Sequence, residues 1–288
     1  MAEEIIPCPG QTVIQPSRGW LNLKLKAVWR YRELLYFLVW RDVKVRYKQT
    51  ALGVAWVVLQ PLISTLVYSG IFGSLLHVPT GGVPYPLFLF SGLLPWQYFA
   101  GSLTKSSNSL VDNTGLVTKI YFPRLVIPIS AVLSGLIDFA VSAIVLVGLL
   151  VFYGQALTPA AFFLPFFLLL ALLTTLGSGL WFSALNVRYR DVKHLLPFVL
   201  QIWMYLTPVV YGTDLIPARL HWLLALNPMT GVVSGFRWAI LGIQMNEIQT
   251  FRSAEGPLFM LSILISLVVL VSGLLYFRNT ESTFADII

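Results

Sequence analysis

The sequence predicts an all-α membrane protein: six transmembrane helices, an N-terminal amphipathic helix in the membrane interface, and a re-entrant helical segment between spans five and six. Three observations lead there. The 288 residues are 57% hydrophobic and only 11% charged, with a mean hydropathy of +0.79, against roughly 25% charged residues in an ordinary soluble domain. Apolar stretches near the ~20 residues that a bilayer demands fall at 53–75, 86–104, 125–153, 160–185, 195–212 and 257–277. Across all six, the only Asp, Glu, Lys or Arg is Asp138, as the cost of placing charge in hydrocarbon requires.

Residues 1–30 read as a cytoplasmic segment. Pro7, Pro9, Pro16 and scattered charges stand where a secretory signal would place a short apolar run and a small-residue cleavage site, so the N-terminus is expected to stay in the cytoplasm. Cys8 is the only cysteine, which excludes an intrachain disulfide and a cysteine-based metal cluster and leaves the redox compartment undetermined. Residues 31–50 are expected to form the interfacial helix. At 100° per residue, Arg41, Lys44 and Lys48 share one stripe, and Tyr36, Trp40, Val43 and Tyr47 make an aromatic-rich seam beside it. Arg41, Lys44, Arg46 and Lys48 are thereby placed to hold anionic headgroups, each contributing about 1 kcal/mol near the surface.

Residues 51–288 carry the spans. Of the 19 Lys and Arg residues, all but Arg219, Arg237 and Arg252 precede span one, follow span six, or lie between spans two and three or four and five. The positive-inside rule then puts both termini in the cytoplasm, and the even number of spans agrees. Pro61, Pro95, Pro165 and Pro208 fall within spans and are expected to kink them. Gly53, Gly135, Gly177 and Gly179 are expected to allow close helix approach. Two cytoplasmic connections, 105–124 and 186–194, are short, polar and tied to spans at both ends, so they can transmit force from a cytoplasmic partner. The outward segment 213–256 holds two short apolar pieces, "HWLLAL" and "MTGVVSGFRWAILG", separated by the turn signal Asn227-Pro228. Either they rest in the outer interface, or they dip in and return, which is tolerated only where the broken backbone is buried in protein or lines a wet cavity. The second reading is preferred and marks an outer gate.

Catalytic chemistry is poorly served. There is no H-E-x-x-H, no G-x-S-x-G and no close pair of intramembrane carboxylates. None of the 21 glycines is followed by Lys, so a Walker A loop is excluded. The histidines at 77, 194 and 221 are too scattered to indicate a metal site. Ion-coupled transport would want more midplane ionisable groups than Asp138. That residue reads as a structural acid bonded to neighbouring Ser or Tyr or held protonated, with a place in a translocation path as the alternative. Arg237 and Glu247 read either as parts of the gate or as solvated surface charge. The formal charge of +7 is placed for lipid headgroups, not nucleic acid.

Five stretches together resemble one known family: "YRELLYFLVWRDVKVRYKQTALGVAWVVLQPL" (31–62), "LFLFSGLLPWQYF" (87–99), "TKIYFPRLVIPIS" (118–130), "NVRYRDVKHLLPFVLQIWMYLTPVVY" (186–211) and "LNPMTGVVSGFRWAILG" (226–242). They resemble the permease subunits of polysaccharide-exporting ABC transporters, the ABC-2 type family that exports O-antigen, capsule and teichoic acid polymers. The likeness runs over about residues 15–280 in the right order, and "QPSRGWLNL" resembles the O-antigen branch.

The resemblance implies a homodimer of six-span chains in the bacterial inner membrane, paired with two copies of a separate ATPase that binds ATP and Mg. This chain would then be no enzyme and hold no cofactor. It implies that Arg41, Asp42, Lys44, Arg46, Lys48, Asp112, Lys119, Arg188, Arg190 and Asp191 serve coupling to the ATPase. A pathway and gate would draw on Trp96, Tyr98, Phe99, Asp138, Trp203, Tyr205, Tyr211 and Arg237, since aromatic walls offer sugar rings flat contact that still lets them slide. For any single aromatic, a place in packing or in the interfacial belt is the competing reading. The expected function is export of a lipid-linked polysaccharide, O-antigen first. The alternatives are another cargo (teichoic acid, capsule, lipid or drug) and a membrane-embedded transferase on lipid-linked sugars, for which Asp112 and Asp191 are too isolated.

Overall fold

The computed structural model describes residues 25–48, 53–242 and 256–284. Among them no strand occurs, and the chain is an all-α membrane protein. A short α1 (Leu25–Arg30) turns at Tyr31 into α2 (Arg32–Lys48). α3 (Gly53–Tyr68) continues through a wider π-helical stretch, Ser69–Leu75. α4 (Tyr85–Asp112) descends to α5 (Thr114–Lys119), and α6 (Val126–Phe152) returns. A 3-10 turn, Pro159–Phe163, leads into α7 (Leu164–Arg188), followed by α8 (Val192–Leu206). Two 3-10 turns precede α9 (His221–Ala225) and α10 (Pro228–Leu241), and α11 (Gly256–Thr280) closes the bundle.

Four helical stretches among the described residues are long and apolar enough to cross a membrane: Ala55–Leu75, Val126–Phe152, Pro159–Arg188 and Phe259–Thr280. Two of the six expected spans differ. The second extends past 104 to Asp112, so the first part of the expected polar connection 105–124 is helical. The fifth stops at Leu206, giving 15 residues, about 22 Å at 1.5 Å per residue, short of the ~30 Å hydrocarbon core. The reason is local. Thr207 precedes Pro208 and is extended at φ −95°, ψ 134°, because a proline ring disfavours the helical region for the residue before it. Pro208 therefore ends this helix, where the sequence reading expected a kink within it.

α4 is the central helix, packed against α6, α7 and α10. Leu87, Phe99, Leu103 and Leu110 on it have no exposure. Its lower half replaces bulk with hydroxyls, and Ser102, Ser106, Ser107 and Ser109 are all buried. Asn186 of α7 ties this half down, its Nδ2 donating to the Ser107 carbonyl and to Asn108 Oδ1, each at 3.0 Å. The α7–α11 pair is closer still. A Cβ at Gly177 would lie 2.6 Å from the backbone of Leu270, and one at Gly273 would collide with the Gly177 carbonyl. Thr174 to Ser266 and Trp181 to Ser272 bond across the seam. Between lipid-like helices, such small residues let dispersion and weak hydrogen bonds act over many atoms.

Candidate functional site: an acid junction and a buried arginine

Asp138 lies where α2, α4 and α6 meet. Lys105 Nζ of α4 donates to its Oδ2 at 2.8 Å, Arg46 Nη1 of α2 donates to the same oxygen, and the Tyr47 hydroxyl donates to Oδ1 at 2.6 Å. Arg46 Nη2 also reaches Ser134 Oγ at 3.4 Å. Lys105 is about 30 Å along α4 from Tyr85 at 1.5 Å per residue, so the junction lies toward the end of α4 that carries Asp112. Burial, with the Asp138 carboxylate accepting its proton bond, pushes the Tyr47 phenol up to about 12, so it is a donor at physiological pH. The hydrogen-bonded reading of Asp138 named Ser or Tyr as partners. Tyr47 is one, and the two cations are additional.

α2 accordingly runs against α6, burying Leu38 and Val43 and leaving Tyr36, Phe37 and Trp40 more than half exposed. Arg41 pairs with its neighbour Asp42 at 2.8 Å. Lys44 and Lys48 are exposed, as are Asp112, Lys119, Arg188, Arg190 and Asp191 at the same basic end of the bundle. Among the ten expected coupling residues, Arg46 is the one drawn inward to the spans.

At the opposite end Arg237 has 0% exposure, which overturns the solvated-surface reading, one of the two that the sequence left open. The side chain fills the space between α10, α4 and the turn after α8. Nη1 donates to the carbonyls of Pro208 at 2.6 Å and Tyr211 at 3.2 Å, Nη2 to Val209, and Nε to Phe88 at 3.3 Å. The guanidinium carbon lies 3.8 Å from the centroid of the Phe88 ring, a cation–π contact. Tyr85 supplies the missing donor of the set, its hydroxyl reaching the Val210 carbonyl at 2.6 Å. The physical demand is plain: residues 208–210 are non-helical and buried and Tyr211 is partly so, so their carbonyls need protein donors. Gly92 makes the room, since a Cβ there would lie 2.8 Å from Nη2. Glu247, its expected companion, lies outside the described residues, as does 243–255 of the outward segment.

The turn at Asn227-Pro228 is built as its sequence suggests, with a function beyond turning. Asn227 Oδ1 caps α10 by accepting from Met229 N at 3.1 Å and also accepts from Trp203 Nε1 at 2.9 Å, while Nδ2 donates to Thr207 Oγ1 at 2.7 Å. α10 is buried along almost its whole length, packed on α4, α7 and α11. The second piece therefore enters the protein, whereas the first, HWLLAL, buries only Ala225 and leaves Trp222, Leu223 and Leu226 about half exposed.

Of the expected aromatic wall, Trp96, Tyr98 and Phe99 are core residues within the chain, at 4%, 4% and 0% exposure. Phe99 meets Trp203 edge to face at 5.0 Å, and Tyr98 meets Phe139 at 5.8 Å. Tyr205 is about half exposed, and Tyr211 is partly so, its hydroxyl bonded to the Tyr205 carbonyl. Sequence reasoning missed Lys105, Gly92 and Phe198, the last exposed on α8 together with Ile202 and Tyr205. Helical spacing along 198, 202 and 205 was the available signal for the last. For Lys105 it was the need of an acid in a span for a nearby cation.

A family model described as ABC-2 type transporter matches residues 33–241. An O-antigen export system permease protein of Klebsiella pneumoniae is 31% identical over 272 residues, 93% of this chain and 100% of that protein. One of the same description from Myxococcus xanthus is 33% identical, covering 74% of this chain and 82% of its own. A polysialic acid transport protein of Escherichia coli is 26% identical, with 84% and 91% covered.

Proposed function

The chain belongs to the ABC-2 type transporter family, and on that premise we propose that it is the membrane permease through which an ATP-driven exporter moves a lipid-linked polysaccharide, with O-antigen as cargo. The observation that carries this is the full-length similarity to an O-antigen export permease, 31% over 93% of the chain. In this reading two copies of the chain form the pathway, each crossing the inner membrane six times, the fifth crossing made by α8 together with the turn at 208–211, with both termini in the cytoplasm. Two ATPase subunits dock at the basic end and bind the ATP and Mg. This chain performs no covalent step.

The division of labour follows from the two polar constellations. A push on α2 at the basic end reaches α4 and α6 through the charge-assisted bonds of Arg46 and Lys105 to Asp138. Exposed Asp112, Lys119, Arg188, Arg190 and Asp191 supply further contacts for the ATPase. At the outer end α10 closes the mouth, and Arg237 keeps it and the turn at 208–211 moving as one body. Exposed aromatics such as Tyr205 give the passing glycan a flat, weakly holding surface.

Depletion of the chain in its native cell, followed by leaflet-resolved extraction of lipid-linked glycans, tests the reading. Finished polymer should accumulate on the cytoplasmic side; normal polymer at the cell surface would overturn the glycan assignment. A capsule polymer is the second cargo, favoured by the similarity to the polysialic acid transport protein, and the chemical identity of whichever polymer is trapped decides between them.

A further inference from the structure

α11 ends at Thr280, and the chain turns through Glu281–Thr283. These are polar residues, yet the next one, Phe284, has no exposure at all. Its ring meets Phe277 edge to face at 5.2 Å, and the Arg124 guanidinium lies 5.9 Å from its centroid. Arg124 is held twice more. Its Nη1 donates to the Glu281 carbonyl at 2.5 Å and its backbone N–H to Glu281 Oε1 at 3.3 Å, while Glu281 Oε2 pairs with Arg278.

Phe284 completes an apolar cluster at the basic end, separate from the one around Arg237. Leu38 of α2, Leu110 of α4, Val117 of α5, Phe122 and Leu125 of the connection before α6, and Val187 of α7 all drop into it. Directly before Phe122, Ile120 and Tyr121 are 55% and 67% exposed, beside exposed Lys119. An apolar tip thus stands out from the basic end; on its far side the segment after α11 grips Arg124, and its Phe284 shares one apolar cluster with Phe122. A flexible tip would absorb a push by bending. A gripped one passes it on.

We propose that residues 281–284 form a strap that positions the 119–121 tip for the ATPase partner, with Glu281 and Phe284 as positioning residues for coupling. The strap couples the last span to the connection between α5 and α6, so force on the tip is shared between α6 and α11. This rests on the reading that an ATPase acts at the basic end.

The test uses the full chain, expressed in depleted cells and purified with whatever ATPase accompanies it. Phe284→Ala and Glu281→Ala should leave membrane abundance and ATPase co-purification unchanged, while surface polymer per ATP hydrolysed falls about fivefold or more, the scale of a typical coupling energy. Phe284→Leu, which refills the cluster, should restore most of that ratio. An unchanged ratio in both alanine variants overturns the strap, and so does a loss of export that only tracks loss of the chain from the membrane. If the unaltered chain brings down no ATPase, the functional reading itself fails, a result distinguishable from failure of the strap.

Discussion

Arg237 gathers three carbonyls of one turn and a fourth from α4, so its removal leaves those acceptors without their guanidinium donor. Arg237→Ala is expected to destabilise the chain by about 3 kcal/mol or more, since each buried unsatisfied group costs about 1–3 kcal/mol. Arg237→Lys should recover only part, because an ammonium cannot span the same set or lie flat on Phe88. Gly92→Ala should reproduce the loss by displacing the guanidinium. Thermal unfolding of the detergent-solubilised protein reads all three. At the other junction, Asp138→Asn removes the counter-charge of Arg46 and Lys105, and it should lower export while a double change with Lys105→Met recovers some of it. Surface polymer measured through that double-mutant cycle checks the coupling. Tyr47 has its pKa raised above the unfolded value, so whatever stability its bond supplies is fully present below about pH 10 and is lost as pH rises through about 12. The melting difference between Tyr47→Phe and the parent should therefore be constant from pH 6 to 9.

Helices in this chain are shaped by small residues as much as by large ones. Gly177 and Gly101 both sit in helices, yet a Cβ at Gly177 strikes the backbone of Leu270 and one at Gly101 meets nothing within 4 Å. Gly177→Ala should part α7 from α11 and reduce the chain recovered in membranes, whereas Gly101→Ala should be neutral or stabilising by up to about 1 kcal/mol from helix propensity. Immunoblots of membrane fractions separate the two outcomes. The same contrast explains what was legible at this scale. Helix positions follow from hydropathy, which is written in consecutive residues. The early end of α8 needed the pre-proline rule applied at Thr207, and the extension of α4 to Asp112 was hidden because Ser, Asn and Lys on a buried helix look like a loop when only polarity is read.

For the whole molecule, the outward face of the bundle is apolar, with Leu66, Ile144 and Val151 each more than 70% exposed, as a lipid-facing surface demands. The proposed orientation is open to labelling. In a Cys8→Ser background, Ala156→Cys should react with an impermeant thiol reagent in intact cells, and Gly115→Cys only after the membrane is opened. Reversed reactivity would invert the topology. By itself the sequence determined the membrane class, the all-helical fold, the separation of a basic end from an apolar body, and the absence of a Walker A loop, because these depend on composition and local spacing. Tertiary structure alone decided that Asp138 meets Arg46, Tyr47 and Lys105, that Arg237 is buried against the turn at 208–211, that Trp96 and Phe99 pack inward, and that Phe284 returns to grip Arg124. Each of those contacts joins residues far apart in the chain, and such partners are chosen by the packing of helices whose individual patterns do not name one another.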